Sequence, residues 1–259
     1  MKYSDESLET INNAFEDNRE ILKSLRDKIM LYNINIRNET AREYLIHGVL
    51  RRIDILNKCI EKVFEEFPPE TEKLLDMDKV IEMDIYLHAF LINVYGVTEN
   101  LALLITYEKN LFNTDVLNKK QLKEVGFFKK EFQKKLSKVI INYFSDKDIN
   151  NWYNEYEKNY RDALAHRIPP YIPPMELNKE EIEEKEILEK EIAKFKYNGN
   201  NSDEFIEMLH KTWAIGSPAM YFLHSISEKS NRVILHSQML SDILTINEMI
   251  CFVINNIDN

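Results

Sequence analysis

Apolar residues recur at steps of three and four along most of this chain, the period that puts one helix face against a core. Leu45, Val49, Ile53, Leu56, Ile60 and Phe64 keep that step without a gap, and Pro68 and Pro69 close the run. Residues 6–30 show the same pattern through Leu8, Ile11, Phe15, Ile21, Leu22 and Leu25. A polar break covers Asn33 to Asn38, after which Thr40 is placed to cap the next helix. A third helix is expected from about Met77 to Asn110, with Gly96 inside it marking a close crossing or a kink. A fourth is expected over about Lys119 to Phe144, and a fifth over about Asp146 to Arg167. Pro169 stops the fifth, because proline lacks the amide donor and clashes with the preceding turn. Residues 168–178 read as an extended connector and Glu180 to Lys196 as a charged helix. Lys196 to Asn201 reads as a loop, with Ser202 able to cap the helix after it. Gly216-Ser217-Pro218 breaks the chain again, and Ala219 to Ile257 reads as one or two further helices. Without strand alternation, repeat or heptad array, the pattern predicts an all-α bundle of long antiparallel helices. The expected organisation is one domain, with a core over 38–167, the connector over 168–178 and a C-terminal helical part over 179–259.

Ile85 to Tyr107 is the most apolar stretch and about as long as a membrane span. It contains His88, Asn93, Glu99 and Asn100, and a charge at mid-span is costly in lipid, so it reads as a buried helix of a soluble protein. Composition agrees: the chain is 44% hydrophobic and 30% charged, enough for a sizeable core under a solvated surface. A net charge of −10 argues against a general nucleic-acid coat but leaves room for a local basic face. Cys59 and Cys251 are isolated from each other and from metal-type neighbours, which points to a reducing compartment. The start, Met1-Lys2-Tyr3-Ser4-Asp5-Glu6, has no apolar run of the signal-peptide kind, so a cytoplasmic location is expected.

Chemistry concentrates at the end of the fifth helix. Tyr160-Arg161-Asp162-Ala163-Leu164-Ala165-His166-Arg167 sets a guanidinium, a carboxylate and an imidazole just ahead of Ile168-Pro169-Pro170-Tyr171-Ile172-Pro173-Pro174. Such groups can hold a phosphate and move a proton. At i, i+4 Asp162 and His166 share a helix face, so the carboxylate can fix the imidazole tautomer. Arg161 lies about 140° from His166 on an ideal helix, so joint action needs a second copy of the segment or a distorted helix end. The bland reading is that these are surface charges and a helix cap. Spacing does not separate the two, since Arg42-Glu43-Tyr44-Leu45-Ile46-His47 repeats the pattern.

Arg161-Asp162-Ala163-Leu164-Ala165-His166 resembles the motif of the HEPN superfamily (higher eukaryotes and prokaryotes nucleotide-binding domain): an arginine, a polar residue and, a few residues on, a histidine near a helix end. The block from Tyr160 to Pro174 also resembles a group of uncharacterised bacterial proteins. So do Leu87 to Gly96, Glu99-Asn100-Leu101-Ala102 and Leu235 to Asp242. The superfamily resemblance implies a HEPN-like core and metal-independent cleavage of RNA at a site composed across a homodimer, in a toxin or phage-defence setting. It assigns His166 as general acid or base, Arg161 to charge on the phosphate and Asp162 to orienting the cluster. It also implies an antitoxin or other protein partner. Other members of the superfamily bind nucleotides or proteins without catalysis.

Other features are weaker. Residues 109–138 hold nine lysines against three acids, with Phe127, Phe128 and Phe132 interleaved. That can be an RNA-facing patch, though such a run is more often the solvated side of a helix. Glu176 to Lys194 holds eight glutamates and four lysines. Glu180/Glu184 and Glu183/Glu186 can in principle bind Mg²⁺, but Glu–Lys pairs at helical spacing describe an ordinary solvated helix. His88, Asn93, Glu99 and Asn100 either support a site or tie helices together. His210, His224 and His236 lack zinc-type grouping, and there is no phosphate-binding glycine loop or nucleophile elbow, so no metal and no cofactor are expected. Three readings remain: a HEPN-type ribonuclease, a non-catalytic helical interaction or nucleotide-binding protein, and a Mg²⁺-dependent nucleotide hydrolase with inward-facing glutamates from Glu180 onward.

Overall fold

Most of the long helices in the computed structural model start at a short polar side chain that satisfies orphan amides. The structure describes residues 2–195, 202–228 and 230–258, so the expected loop over 196–201 lies outside the described residues. Ser4 caps α1 (Asp5–Tyr32) by accepting from the Ser7 amide. The next cap is Asn38, whose side chain accepts from the Ala41 amide at 3.0 Å. Thr40 therefore sits inside α2 (Glu39–Glu43) rather than capping it. The helix continues through a π-helical stretch, Tyr44–Leu50, into α3 (Arg51–Glu66). The stripe from Leu45 to Phe64 is buried along its whole length.

Asp76 caps α4 (Met77–Glu108), the central helix, which packs on α2, α3, the π-helical stretch, α9 (Lys158–His166) and α12 (Leu235–Asn256). Two helices, α4 and α12, have the length and hydropathy of a membrane span. In the most apolar window of α4, 67% of residues are buried within the protein, which makes it a core helix of this fold. The core extends beyond 38–167: Leu22, Leu25 and Ile29 of α1 join Met239, Ile243 and Ile250 of α12 in the same cluster.

The expected helix over Lys119 to Phe144 is instead three short ones: α5 (Lys119–Glu124), α6 (Lys130–Gln133) and α7 (Lys138–Phe144). Gly126, at φ +147°, turns the chain where an L side chain would be strained. On one straight helix Phe127 and Phe132 would lie about 140° apart. Broken, the segment buries both with Phe144, and Phe127 stacks on Phe144 at 3.8 Å.

The fifth helix forms as α8 (Lys147–Asn151), a π-helical stretch Trp152–Glu157, and α9. Asn178 caps α10 (Lys179–Lys194), which has no buried residue, and Ser202 is the first residue of α11 (Ser202–Trp213). After Pro218 the chain does not turn at once into helix. β1 (Tyr221–Phe222) and β2 (Val233–Ile234) pair antiparallel, and Tyr171 bridges Leu223. This small ladder is absent from the periodicity because two residues per strand are too few to alternate. The fold remains helical in class.

Candidate functional site

Tyr160 and Ala163 face the core and orient α9; Arg161 and Asp162 are half-buried; His166, the last helical residue, is exposed. Arg167 leaves the helix with extended backbone, φ −131° and ψ −150°. Its guanidinium folds back to the Asn159 side chain at 2.7 Å and pairs with Glu228 at 3.2 Å. Beyond it, the Pro-rich segment is pinned to α4: His88 Nε2 bonds the Pro170 carbonyl at 2.5 Å, and Asp84 accepts from the Ile172 amide at 2.8 Å. His88 thus works as a strut between α4 and the connector.

Arg161 lies over the Tyr95 ring, 4.0 Å from its centroid, and donates to the Tyr95 hydroxyl at 2.5 Å. Its second terminal nitrogen pairs with Asp162 at 2.8 Å. Asp162 therefore partners Arg161, not His166 as helix geometry predicted. The adjacent guanidinium is always charged and forks toward a carboxylate, which an imidazole one turn away does not. Burial pulls the Arg161 pKa down, but the Tyr95 bond and the Asp162 charge outweigh it and hold it above the ordinary value. Among the described residues His166 has no hydrogen-bond or ion-pair partner.

Tyr95 is itself held. Its hydroxyl meets Tyr153 at 3.2 Å and Glu99 at 3.4 Å, and Tyr153 stacks on Phe128 at 3.7 Å. Burial raises the Tyr95 and Tyr153 pKa values, so both phenols stay protonated as donors. Beneath this layer two acids are fully buried. Asp242 accepts from Trp152 Nε1 at 2.9 Å, Gln238 at 2.8 Å and Tyr156 at 2.8 Å. Burial pushes its pKa up to about 6, with the three donors pulling the other way. Among the described residues Glu157 has no hydrogen-bond partner on either oxygen. Burial, then the charge of Asp242, push its pKa well up, against the pull of Arg161 one turn ahead.

The segments that carry the resemblance thus meet around α9: Tyr95 and Glu99 from α4, Asp242 from α12, and the Arg161–His166 turn. Tyr95 lies within the resembling stretch Leu87 to Gly96 but has no role assigned there, and Tyr153 is unmarked in the sequence. Tyr153 lies on the stretch that runs straight into α9 and meets Tyr95 across the contact with α4, a pairing that no local spacing encodes. Glu157 is likewise unmarked.

The second Arg-x4-His match divides. Arg42 donates to the Ile36 carbonyl at 2.7 Å and secures the turn before α2, while His47 lines a separate cavity. The lysines of 109–138 are exposed except Lys129, which is half-buried and donates to the Val125 carbonyl, and Phe127 and Phe132 are buried. Glu180, Glu183, Glu184 and Glu186 are all exposed rather than inward-facing. Among the described residues no three His, Cys, Asp or Glu side chains are grouped to hold a metal ion. His236 is buried, and its pKa falls to about 4 through burial; it bridges the Phe67 carbonyl at 2.7 Å and Tyr3 at 3.1 Å. Comparison with protein-family models, curated proteins and solved structures returns no match.

Proposed function

We propose that this chain is a metal-independent endoribonuclease of the HEPN type, with an active site completed by a second copy of α9. The observation that carries the reading is the exposed His166, unpartnered among the described residues, one turn beyond an Arg161–Asp162 pair that Tyr95 holds in place. Within one chain the imidazole and guanidinium diverge, and a second copy brings complementary groups to one phosphodiester. In the proposed reaction one His166 takes the proton from the ribose 2′-hydroxyl, and the 2′-oxygen attacks phosphorus. The P–O5′ bond breaks, and the leaving 5′-oxygen takes a proton from His166 of the second copy. Arg161 offsets charge on the phosphate oxygens, and Asp162 keeps the guanidinium in its fork geometry. The exposed lysines of 109–138 offer the RNA-facing surface, and the toxin or phage-defence setting, with an antitoxin partner, comes from the superfamily resemblance alone.

The test is cleavage of single-stranded RNA by purified protein in excess chelator. The expected result is 2′,3′-cyclic phosphate ends and a loss of about a hundredfold or more in His166→Ala. Cleavage that survives His166→Ala, or that chelator abolishes, overturns the assignment.

A second reading is favoured by one observation. Arg161 is only 25% exposed and commits two nitrogens to Tyr95 and Asp162, as a purely structural tie between α9 and α4 would. In that reading the protein is a non-catalytic helical interaction module, and wild-type protein leaves RNA intact.

A further inference from the structure

A second arginine is built into the fold on the neighbouring face of α4. Arg52, in the first turn of α3, is half-buried. It donates through Nε to Asn100 Oδ1 at 2.9 Å and through Nη1 to Asn93 Oδ1 at 2.9 Å. Both acceptors are neutral amides, and among the described residues no carboxylate pairs with it. Burial pulls its pKa down with nothing to offset that pull, the electrostatic mark of an uncompensated cation. Arginines taken out of water are usually matched by an acid, because the desolvation cost is otherwise unreturned.

The sequence gives up side chains to make room for this group. Gly96 lies under the guanidinium, and a Cβ there would strike it. Gly48 lies under Asn100, where a Cβ would come within 2.8 Å of the amide oxygen. Two of the five glycines in the chain therefore serve Arg52 and its support. Gly48 also falls inside the π-helical stretch Tyr44–Leu50, and such stretches recur at ligand sites because they displace a helix wall.

Beside Arg52 is a cavity of about 310 Å³ lined by Thr40, Glu43, Tyr44, His47, Gly48 and Asn100. Its lining is rich in donors: the Thr40 and Tyr44 hydroxyls, the His47 imidazole and the guanidinium. The Asn100 amide nitrogen joins them, since Arg52 occupies its oxygen. Glu43 is the one acid. We propose that this cavity is a binding site for a phosphate group, as the free ion or as a small phosphate monoester, with Arg52 as its main charge partner. The site shares no side chain with the Arg161 cluster, which Tyr95 and Glu99 contact from the adjacent face of α4. It therefore stands whether or not the chain cleaves RNA.

The test is calorimetric titration of the full chain with inorganic phosphate and, separately, with phenyl phosphate. Saturable binding is expected. Arg52→Gln should weaken it about tenfold or more, the loss of one charge-assisted contact. Glu43→Gln should tighten it severalfold by removing the opposing charge. Should Arg52→Gln fail to fold, Glu43→Gln and His47→Ala, both at exposed positions, carry the test in opposite directions. Preference for phenyl phosphate assigns an esterified ligand and equal affinity the free ion. Absence of binding by either probe, or binding that these variants leave unchanged, overturns the proposal and leaves Arg52 as a tie between α3 and α4.

Discussion

At the residue scale the site is a layered support under one free imidazole. Arg161 is fixed by an aromatic face, a phenol and a carboxylate, and the phenol is fixed in turn by Tyr153. Tyr95→Phe keeps the ring but removes the hydroxyl, so it should cost about 1 kcal/mol in urea unfolding. RNA cleavage should fall with it, because Arg161 loses one anchor; unchanged stability would show that the hydroxyl bonds mostly water. Asp242 supplies a pH signature. Its folded-state pKa of about 6 lies above the ordinary value of 3.8, so the neutral form is favoured on folding. Its contribution is fully present below about 3.8 and is lost as pH rises through 6, a swing of about 3 kcal/mol. His236, with its pKa lowered to about 4, acts in the opposite sense, its stabilisation being lost as pH falls below its ordinary value of 6.5. The wild-type curve therefore mixes the two. The difference between wild type and Asp242→Asn removes the His236 contribution and leaves the Asp242 carboxyl with its coupling to Glu157: wild type should gain relative to the variant as pH drops from 6 to 4. A difference flat in pH would place Asp242 in a more polar setting than its burial implies.

At the element scale the periodic stripes carried the long helices and missed the irregular joints. The Leu45 to Phe64 stripe is buried throughout, because a long helix on a core leaves one uninterrupted face. Thr40 was the wrong cap, since Asn38, two residues earlier, reaches the Ala41 amide and both residues read alike in sequence. The break at Gly126 was hidden because the lysines mimic a solvated helix, while the burial of Phe127, Phe132 and Phe144 together demands a turn. Gly96 in mid-helix marked a close approach, but the neighbour is the Arg52 guanidinium, which no periodicity encodes. Gly96→Ala should displace Arg52 from Asn93 and Asn100 and cost about 1–3 kcal/mol, read as a lowered urea midpoint. Wild-type stability in that variant would mean that the guanidinium moves aside at no cost.

At the scale of the whole molecule, α4 organises everything: it meets α3 through Arg52, α9 through Tyr95 and the Pro-rich connector through His88 and Asp84. The all-α class was legible because scarce Gly and Pro leave few places to turn. The participation of α1 and α12 in the same core was not, because contacts between chain ends leave no local trace. The candidate site was legible as a motif but not as an arrangement: Asp162 turns to Arg161, and His166 is left without a partner among the described residues. The function proposed for that free imidazole requires a second copy. The direct measurement is the separation of the two residues 166 in solution, by pulsed electron paramagnetic resonance on a spin-labelled His166→Cys, Cys251→Ser chain. Cys59 is buried and its thiol pushed up to about 11, so it stays unlabelled. The account predicts a dimer whose two labels flank one shared groove, near enough to reach a single phosphodiester; a monomer, or labels tens of ångströms apart, contradicts it.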